Sequence, residues 1–286
     1  MRRLALFFRP GLVSRSPGGL DQGSKVGDEK SLLSCRDISK YFGAMAAVDG
    51  LSFDVNEGEI FGISGPNGAG KTTLFEVISG LNPADKGVII FDGEDITRHR
   101  PQKICQLGLS RVFQSNAAFD SLTVSENIAV GAVYGVSSGP AVPLYFSQQT
   151  RDTVAQVMAQ VGLEGKGDHV AANLSVLDRK RLMFGAALSS SPKLLLLDEP
   201  VGGLNPREMD HMAELVSTIA KSGTTVVLIE HVMRFMVQLA DRVMIMHHGE
   251  EIFVGLPEAL PKNTKVAEVY LGQDAAEQIS KYLKNK

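Results

Sequence analysis

The sequence has few of the features that mark secreted, cysteine-rich or membrane-spanning proteins. Only two of its 286 residues are cysteines, Cys35 and Cys105, and they do not form a CxxC pair. This argues against a disulfide scaffold or a cysteine-rich metal site and is consistent with a reducing compartment. No apolar run approaches the ~18 residues that a transmembrane helix needs. Any membrane association is therefore expected to come through a partner or a surface helix.

The chain also lacks a strong net charge. Its formal net charge is −3 and its pI is about 6.1, so nothing draws the chain as a whole toward nucleic acid. The composition, 44% hydrophobic and 21% charged, is ordinary for a folded protein. A chain of 286 residues has room for one large α/β domain, alone or with a subdomain.

Residues 1–30 differ in composition from the rest of the chain. The arginines that precede the first acidic residue are Arg2, Arg3, Arg9 and Arg15. The apolar stretch 4–8 is too short for the core of a secretory signal. The composition favours a disordered N-terminal extension or a start codon placed too far upstream, and an organellar transit peptide is the alternative.

From residue 31 onward, short apolar runs alternate with helical patterns. The runs that predict strands are 60–63, 88–91, 194–197, 225–229 and 243–246. They are continuously apolar, which is typical of strands buried on both faces in a parallel sheet. Helices are predicted at 71–79 and 207–221. The middle, about 117–190, has weak strand signals and is predicted to be a helical insert.

A glycine-rich loop lies between the first of these strands and a helix. Its residues match the pattern GxxxxGK[ST] and are Gly65, Pro66, Asn67, Gly68, Ala69, Gly70, Lys71 and Thr72. The glycines let the backbone turn tightly and point its N–H groups at phosphate oxygens, and the helix that follows adds its positive end. We expect Lys71 to reach the β- and γ-phosphates of ATP and the Thr72 hydroxyl to bind Mg²⁺.

A second motif is the apolar strand 194–197 followed by two acids. Asp198 ends the strand, so its carboxylate is expected at the sheet edge where α/β proteins bind ligands. We expect Asp198 to hold Mg²⁺. Glu199 comes next and is the candidate general base that activates the attacking water.

These motifs, with several longer phrases, resemble the ATP-binding cassette (ABC) ATPases from about residue 33 to 272. Within them the chain resembles the ATPase subunits of branched-chain amino acid importers. The phrases that carry the resemblance are GISGPNGAGKTTLFEVISG (62–80), FDGEDIT (91–97), LTVSENIAVG (122–131), LLLLDEPVGGLNP (194–206), IEHVMRFM (229–236) and VAEVYLG (266–272). The resemblance implies an α/β domain over 31–272, with a mainly parallel sheet, an antiparallel β subdomain and the helical insert, followed by a tail, 273–286.

The resemblance also implies roles for single residues. Phe42, or alternatively Tyr41, takes the place of the aromatic that stacks on adenine, and Thr73 joins the nucleotide-binding loop. Gln114 matches the glutamine that senses Mg²⁺ and the attacking water. His231 matches the histidine that contacts the γ-phosphate. The segment 203–206 matches a loop that crosses to a partner subunit.

One motif departs from the family pattern Leu-Ser-x-Gly-Gln. The aligned residues are Leu174, Ser175, Val176, Leu177 and Asp178. In this family the signature glycine of one subunit lets a backbone N–H approach the γ-phosphate bound to the other subunit. We expect Leu177 to obstruct that approach and the Asp178 carboxylate to repel the phosphate, while the Ser175 hydroxyl can still donate a hydrogen bond.

The resemblance implies transmembrane permease subunits and a second ABC ATPase subunit as partners, no nucleic acid, and a peripheral location on the cytoplasmic face of the cell membrane. The altered signature beside intact catalytic residues suggests an asymmetric heterodimer. A homodimer with two weakened sites, or a variant that is fully active, is the alternative. The Gln114 region and residues 116–135 are the expected permease contact. An ABC ATPase acting on ribosomes or nucleic acid, and a protein that binds ATP without hydrolysing it, are the competing functions.

Overall fold

The computed structural model describes residues 31–114, 117–135 and 146–271. The strands are β1 (Ser31–Phe42), β2 (Met45–Asn56), β3 (Ile60–Ser64), β4 (Lys86–Phe91), β5 (Glu94–Asp95), β6 (Leu109–Val112), β7 (Leu194–Asp198), β8 (Thr225–Ile229), β9 (Arg242–His247) and β10 (Glu250–Gly255). The predictions for the N-terminal extension 1–30 and the tail 273–286 lie outside the described residues.

The larger sheet has the strand order β10-β9-β3-β8-β7-β6, and all its neighbouring strands are parallel except β10 and β9. Every residue of β3, β7 and β8 is buried. Along β7, Leu194 and Leu196 join the hydrophobic core on one face, and Leu195 and Leu197 join the core on the other. Burial on both faces explains why these strands are apolar throughout, as the sequence predicts.

The smaller sheet is antiparallel and has the order β2-β1-β4-β5. The β4 strand corresponds to the apolar run 88–91, whose composition groups it with the parallel strands. That grouping is wrong for β4, because it pairs antiparallel with β1 and Val88 is 41% exposed, so only one face of the strand is buried. The β1–β2 hairpin turns at Gly43, whose φ of 61° suits glycine.

The helices are α1 (Lys71–Ile78), α2 (Pro101–Gln106), α3 (Val124–Tyr134), α4 (Gln148–Gln160), α5 (Val176–Leu188), α6 (Pro206–Lys221), α7 (Met233–Leu239) and α8 (Thr264–Val266), which continues into a π-helical turn, Ala267–Leu271. In the segment predicted to be helical, α3 packs against α4 and α5. No helix in the part of the chain that the structure describes is long and apolar enough to cross a membrane.

Candidate functional site

The glycine-rich loop connects β3 to α1 at the carboxyl edge of the larger sheet. Its three glycines have positive φ: 147° at Gly65, 78° at Gly68 and 98° at Gly70. A Cβ atom at Gly65 would overlap the backbone oxygen of Met246, and one at Gly70 would overlap that of Ala47. Both positions therefore require glycine for conformation and for space.

Lys71, the first residue of α1, is buried with 7% exposure. Its ammonium group donates hydrogen bonds to the backbone oxygens of Gly65 (2.7 Å) and Pro66 (2.9 Å), so its charge lies inside the curve of the loop. Burial lowers the pKa of Lys71, while the charges of Glu199 and Asp198 act in the opposite direction. The first turn of α1 carries no acidic side chain, which leaves its positive end open to an anion.

Asp198 ends β7 with only 2% of its surface exposed. Its Oδ2 accepts a hydrogen bond from Nη2 of Arg111 on β6 at 2.7 Å. The guanidinium group of Arg111 lies between the rings of Phe75 and Phe113, 5.6 and 4.8 Å from their centroids. Burial raises the pKa of Asp198, and the hydrogen bond and charge of Arg111 oppose that rise.

The other carboxylate oxygen of Asp198 indicates whether Mg²⁺ and a nucleotide phosphate fit this site. Oδ1 is buried and has no hydrogen-bond partner among the described residues. A buried carboxylate oxygen without a partner is costly unless a cation or water serves it, and Mg²⁺ prefers oxygen ligands. Thr72 is exposed in the first turn of α1, and Thr73 is partly buried beside it. The residues present therefore fit a phosphate with its Mg²⁺.

Glu199 lies beside two other predicted residues. The Gln114 amide donates to Glu199 Oε2 at 2.5 Å, and Nδ1 of His231 lies 3.9 Å from Glu199 Oε1. Glu199 has a φ of 48°, which non-glycine residues adopt rarely, and its N–H donates to the carbonyl of Ile229 at 3.0 Å. The structure thus gathers the carboxylate, amide and imidazole groups that the sequence predicts.

Glu230 is a site residue that sequence reasoning did not assign. It is fully buried, and its carboxylate accepts the backbone N–H groups of Val201 (3.1 Å), His231 (3.1 Å) and Val232 (3.3 Å). Through these bonds, the Glu230 side chain connects the His231 segment to the segment that follows Glu199. Burial raises the pKa of Glu230 against the lowering effect of these bonds. The signal in the sequence was an acid directly after a fully apolar strand.

The altered signature motif lies at the start of α5. Ser175 is the N-cap, and its hydroxyl accepts the backbone N–H of Asp178 at 3.1 Å. Leu177 is partly buried and packs against the hydrophobic core, whereas Val176 is 56% exposed. The Asp178 carboxylate bonds Lys166 Nζ at 2.6 Å. These positions change our expectation for Leu177 and Asp178, because the leucine side chain points inward and the carboxylate is paired.

Phe42 and Tyr41 lie at the end of the β1–β2 hairpin, whose second strand contacts the glycine-rich loop through Ala47 and Gly70. Phe42 is 46% exposed. The Tyr41 hydroxyl is 3.2 Å from Asp49 Oδ1. The Phe42 ring is therefore the more available of the two for stacking.

A cleft of about 430 Å³ opens between the sheet edge and the helices α3 and α5. Its lining is mainly apolar and includes Phe113, Phe119, Tyr134 and Leu81, which are also among the exposed large hydrophobic side chains. Arg111 reaches the same cleft from below. The segment around Gln114 therefore lies between the cleft and the acidic site.

Residues 48–202 match the family described as ABC transporter. The high-affinity branched-chain amino acid transport ATP-binding protein LivG of Salmonella typhimurium is 32% identical over 251 residues, which cover 85% of this chain and 98% of that protein. A nucleotide-free ATP-binding cassette from an ABC transporter superposes with a TM-score of 0.78 at 30% identity, covering 85% of this chain and 100% of that one. The ADP conformation of the ATP-binding cassette MJ1267 has a TM-score of 0.77 at 30% identity, covering 85% and 99%.

Proposed function

The chain belongs to the ABC transporter family, and from this we propose that it hydrolyses ATP to energise a membrane importer of branched-chain amino acids or related small polar solutes. The observation that carries the proposal is the meeting of Gln114, Glu199 and His231 beside Lys71 and Asp198. A glycine-rich loop alone would support only binding. A carboxylate, an amide and an imidazole next to it supply what hydrolysis requires.

In this proposal each side chain has a role that matches its position. Lys71 leaves the loop carbonyls for the β- and γ-phosphate oxygens, and the loop N–H groups hold the same phosphates. Glu199 accepts the proton of the attacking water while the Gln114 amide orients that carboxylate. His231, which is 55% exposed, contacts the γ-phosphate. Thr72, Asp198 and Gln114 would hold Mg²⁺, which would neutralise phosphate charge when bound.

The remaining nucleotide contact is proposed for Phe42. Its half-exposed ring at the hairpin tip stacks on adenine, with Tyr41 as the alternative. The hairpin is tied to the loop, because Gly249 accepts the N–H of Asp49 and donates its own N–H to Ala69. The hairpin that would bind the adenine base and the loop that would bind the phosphates are therefore connected by hydrogen bonds.

The apolar cleft is the proposed contact for transmembrane permease subunits, which would place the protein peripherally on the cytoplasmic face of the membrane. Exposed aromatic side chains at a concave site are suited to a short apolar helix. Phe113 lies in the cleft and directly precedes Gln114. A permease segment that moves Phe113 therefore moves the amide that holds Glu199, which couples transport to hydrolysis.

We propose further that the subunit pairs with a second, different ABC ATPase subunit. Its own phosphate-loop and catalytic residues are complete, whereas its signature segment has Leu177 where the family pattern has glycine and exposes the side chain of Val176 beside it. Such a subunit gives full activity to the site built on its own loop and less to the partner's site. A homodimer would carry two weakened sites instead.

The test is ATP hydrolysis by the subunit reconstituted in vesicles with transmembrane permease subunits of a branched-chain amino acid importer. We expect Glu199→Gln to reduce kcat at least about a hundredfold, the usual range for losing a general base. The matched control is Glu214→Gln, an exposed acid at 79% exposure, which should leave kcat unchanged. Hydrolysis that does not depend on the permease, or that survives Glu199→Gln, would refute the proposal.

The pairing is tested in the same vesicles by changing the catalytic glutamate of each subunit separately. The asymmetric heterodimer predicts a larger loss when Glu199 is changed than when the partner's glutamate is changed. Equal losses would contradict the asymmetry. Recovery of an active transporter containing two copies of this chain would establish the homodimer.

A further inference from the structure

The last described turn of the chain reaches the base of the phosphate loop. Tyr270 belongs to the π-helical turn Ala267–Leu271, and its hydroxyl lies 2.9 Å from Ser64 Oγ, although 206 residues separate the two in sequence. Ser64 is fully buried at the end of β3, immediately before Gly65. The contact is therefore made inside the molecule, one residue from the glycine-rich loop.

The direction of the hydrogen bonds follows from the acceptor at the far end. Ser64 Oγ also bonds the backbone carbonyl of Glu230, which can only accept. The single hydroxyl proton of Ser64 is used there, so the Tyr270 hydroxyl must donate to Ser64 Oγ. Burial raises the pKa of Tyr270, and the contacts with Ser64 and the Gly65 backbone oppose that rise, so the phenol keeps its proton for this bond at neutral pH.

Glu230 carries the contact on to the catalytic segments. Its carbonyl is held by Ser64, and its carboxylate holds the N–H groups of Val201 and His231. The chain of bonds runs from the C-terminal turn, through the start of the phosphate loop, to the histidine segment and the segment after Glu199. Fully satisfied buried networks of this kind fix one arrangement of the backbone that carries them.

We propose that Tyr270 is a positioning residue for the ATP site and that the C-terminal turn serves as a strap that holds the phosphate loop and the His231 segment in register. The inference rests on the proposed function, since it assigns Tyr270 an effect on the same hydrolysis. Tyr270 touches no reacting atom and acts through Ser64, Glu230 and the backbone of Gly65.

A simpler reading is that Tyr270 only packs against the hydrophobic core, with which its ring is in contact. Phenylalanine keeps the ring and removes the hydroxyl, so Tyr270→Phe separates the two readings. Packing alone predicts no change in this variant. Positioning predicts that the catalytic geometry loosens while the fold stays intact.

The experiment compares Tyr270→Phe, Ser64→Ala and the double variant in the reconstituted transporter. We expect Tyr270→Phe to lower kcat about three- to tenfold with KM for ATP within about twofold, the size expected for one lost buried hydrogen bond. Since Tyr270 acts largely through Ser64, adding Tyr270→Phe to Ser64→Ala should lower kcat less than Tyr270→Phe does alone. Ser222→Ala removes a hydroxyl that bonds Ile219 at 2.7 Å at the far end of α6 and serves as the matched control.

A second readout needs neither ATP nor the permease. Hydrogen exchange of the His231 and Val232 amides in the isolated subunit should be about three- to tenfold faster in Tyr270→Phe, because these amides depend on Glu230. Wild-type kcat and exchange rates in Tyr270→Phe would overturn the inference, as would an effect that adds in full to that of Ser64→Ala. A kcat loss that merely follows a lowered unfolding midpoint in both variants would also overturn it. Absent hydrolysis in the wild type would instead refute the proposed function.

Discussion

Replacing Arg111 with methionine should destabilise the protein strongly, because it strips a buried aspartate of its counter-charge. The side chains of Arg111 and Asp198 are only 6% and 2% exposed, and 2.7 Å separates their bonded atoms. Removing one partner of such a pair typically costs about 3–5 kcal/mol, since the remaining charge is buried without compensation. Methionine keeps much of the contact with the flanking aromatic rings, so packing adds little to this figure.

The assay is urea unfolding of the isolated subunit, with the free energy of unfolding compared at unchanged slope. Arg111→Lys keeps the charge but loses the planar fork, so it should cost less than Arg111→Met, about 1–2 kcal/mol. Adding Asp198→Asn to Arg111→Met should restore at least about 2 kcal/mol, because the amide leaves no buried charge. The surface pair Arg36–Asp54, with side chains 50% and 40% exposed, provides the control, and Arg36→Met should cost under about 1 kcal/mol.

Two results would refute this reasoning. One is a cost for Arg111→Met no larger than that for Arg36→Met, which would mean that the burial of the pair has no energetic consequence. The other is a double variant no more stable than Arg111→Met alone, which would mean that the lost stability comes from packing and not from the charge left on Asp198.

Three further outcomes follow from local geometry. Gly70→Ala should weaken nucleotide binding at least about tenfold, because its Cβ would overlap a backbone carbonyl. The control is Gly223→Ala, which has a φ of 99° against 98° for Gly70 but open space around it, and this variant should bind nucleotide normally. Equal nucleotide affinity of the two variants would contradict the prediction. Asn205→Ala removes the cap of α6 and should lower the free energy of unfolding in urea by about 1 kcal/mol. An unchanged unfolding midpoint would disprove this prediction. Hydrogen bonds from Thr123 hold the pKa of Glu126 below its usual 4.5, so the stabilisation they give is present above pH 4.5 and is lost in acid. The unfolding midpoints of the wild type and Glu126→Gln should therefore differ at pH 7 and converge in acid. A difference that stays constant with pH would contradict this prediction.

The sequence alone predicts the parts of the fold and site whose signal is local. The prediction of the central parallel strands is confirmed, because strands buried on both faces are mainly apolar and so stand out in the sequence. The strand 88–91 was placed in the wrong kind of sheet, since a short apolar run does not show which strand pairs with it. The phosphate loop and the acids after β7 were found because their chemistry requires fixed residue types at fixed spacing.

The residues that sequence reasoning missed are those whose partners lie far away along the chain. Arg111 meets Asp198 across 87 residues, Glu230 meets Val201 across 29, and Tyr270 meets Ser64 across 206. Each is an ordinary polar or aromatic residue in its own sequence neighbourhood. Only the folded chain shows that each supports a residue the motifs had already identified.

In the signature segment, the effect of a substitution depends on the direction in which the new side chain points, which the sequence alone does not show. Consecutive residues on a helix point about 100° apart, and here Val176 is 56% exposed while Leu177 is partly buried. The core takes Leu177, and Lys166 and Arg181 neutralise Asp178. What the first turn of α5 presents to a partner is therefore neither the leucine nor the charge but the half-exposed Val176. In the proposed heterodimer, the apolar bulk of Val176 would then add to the effect of the glycine that is missing at position 177.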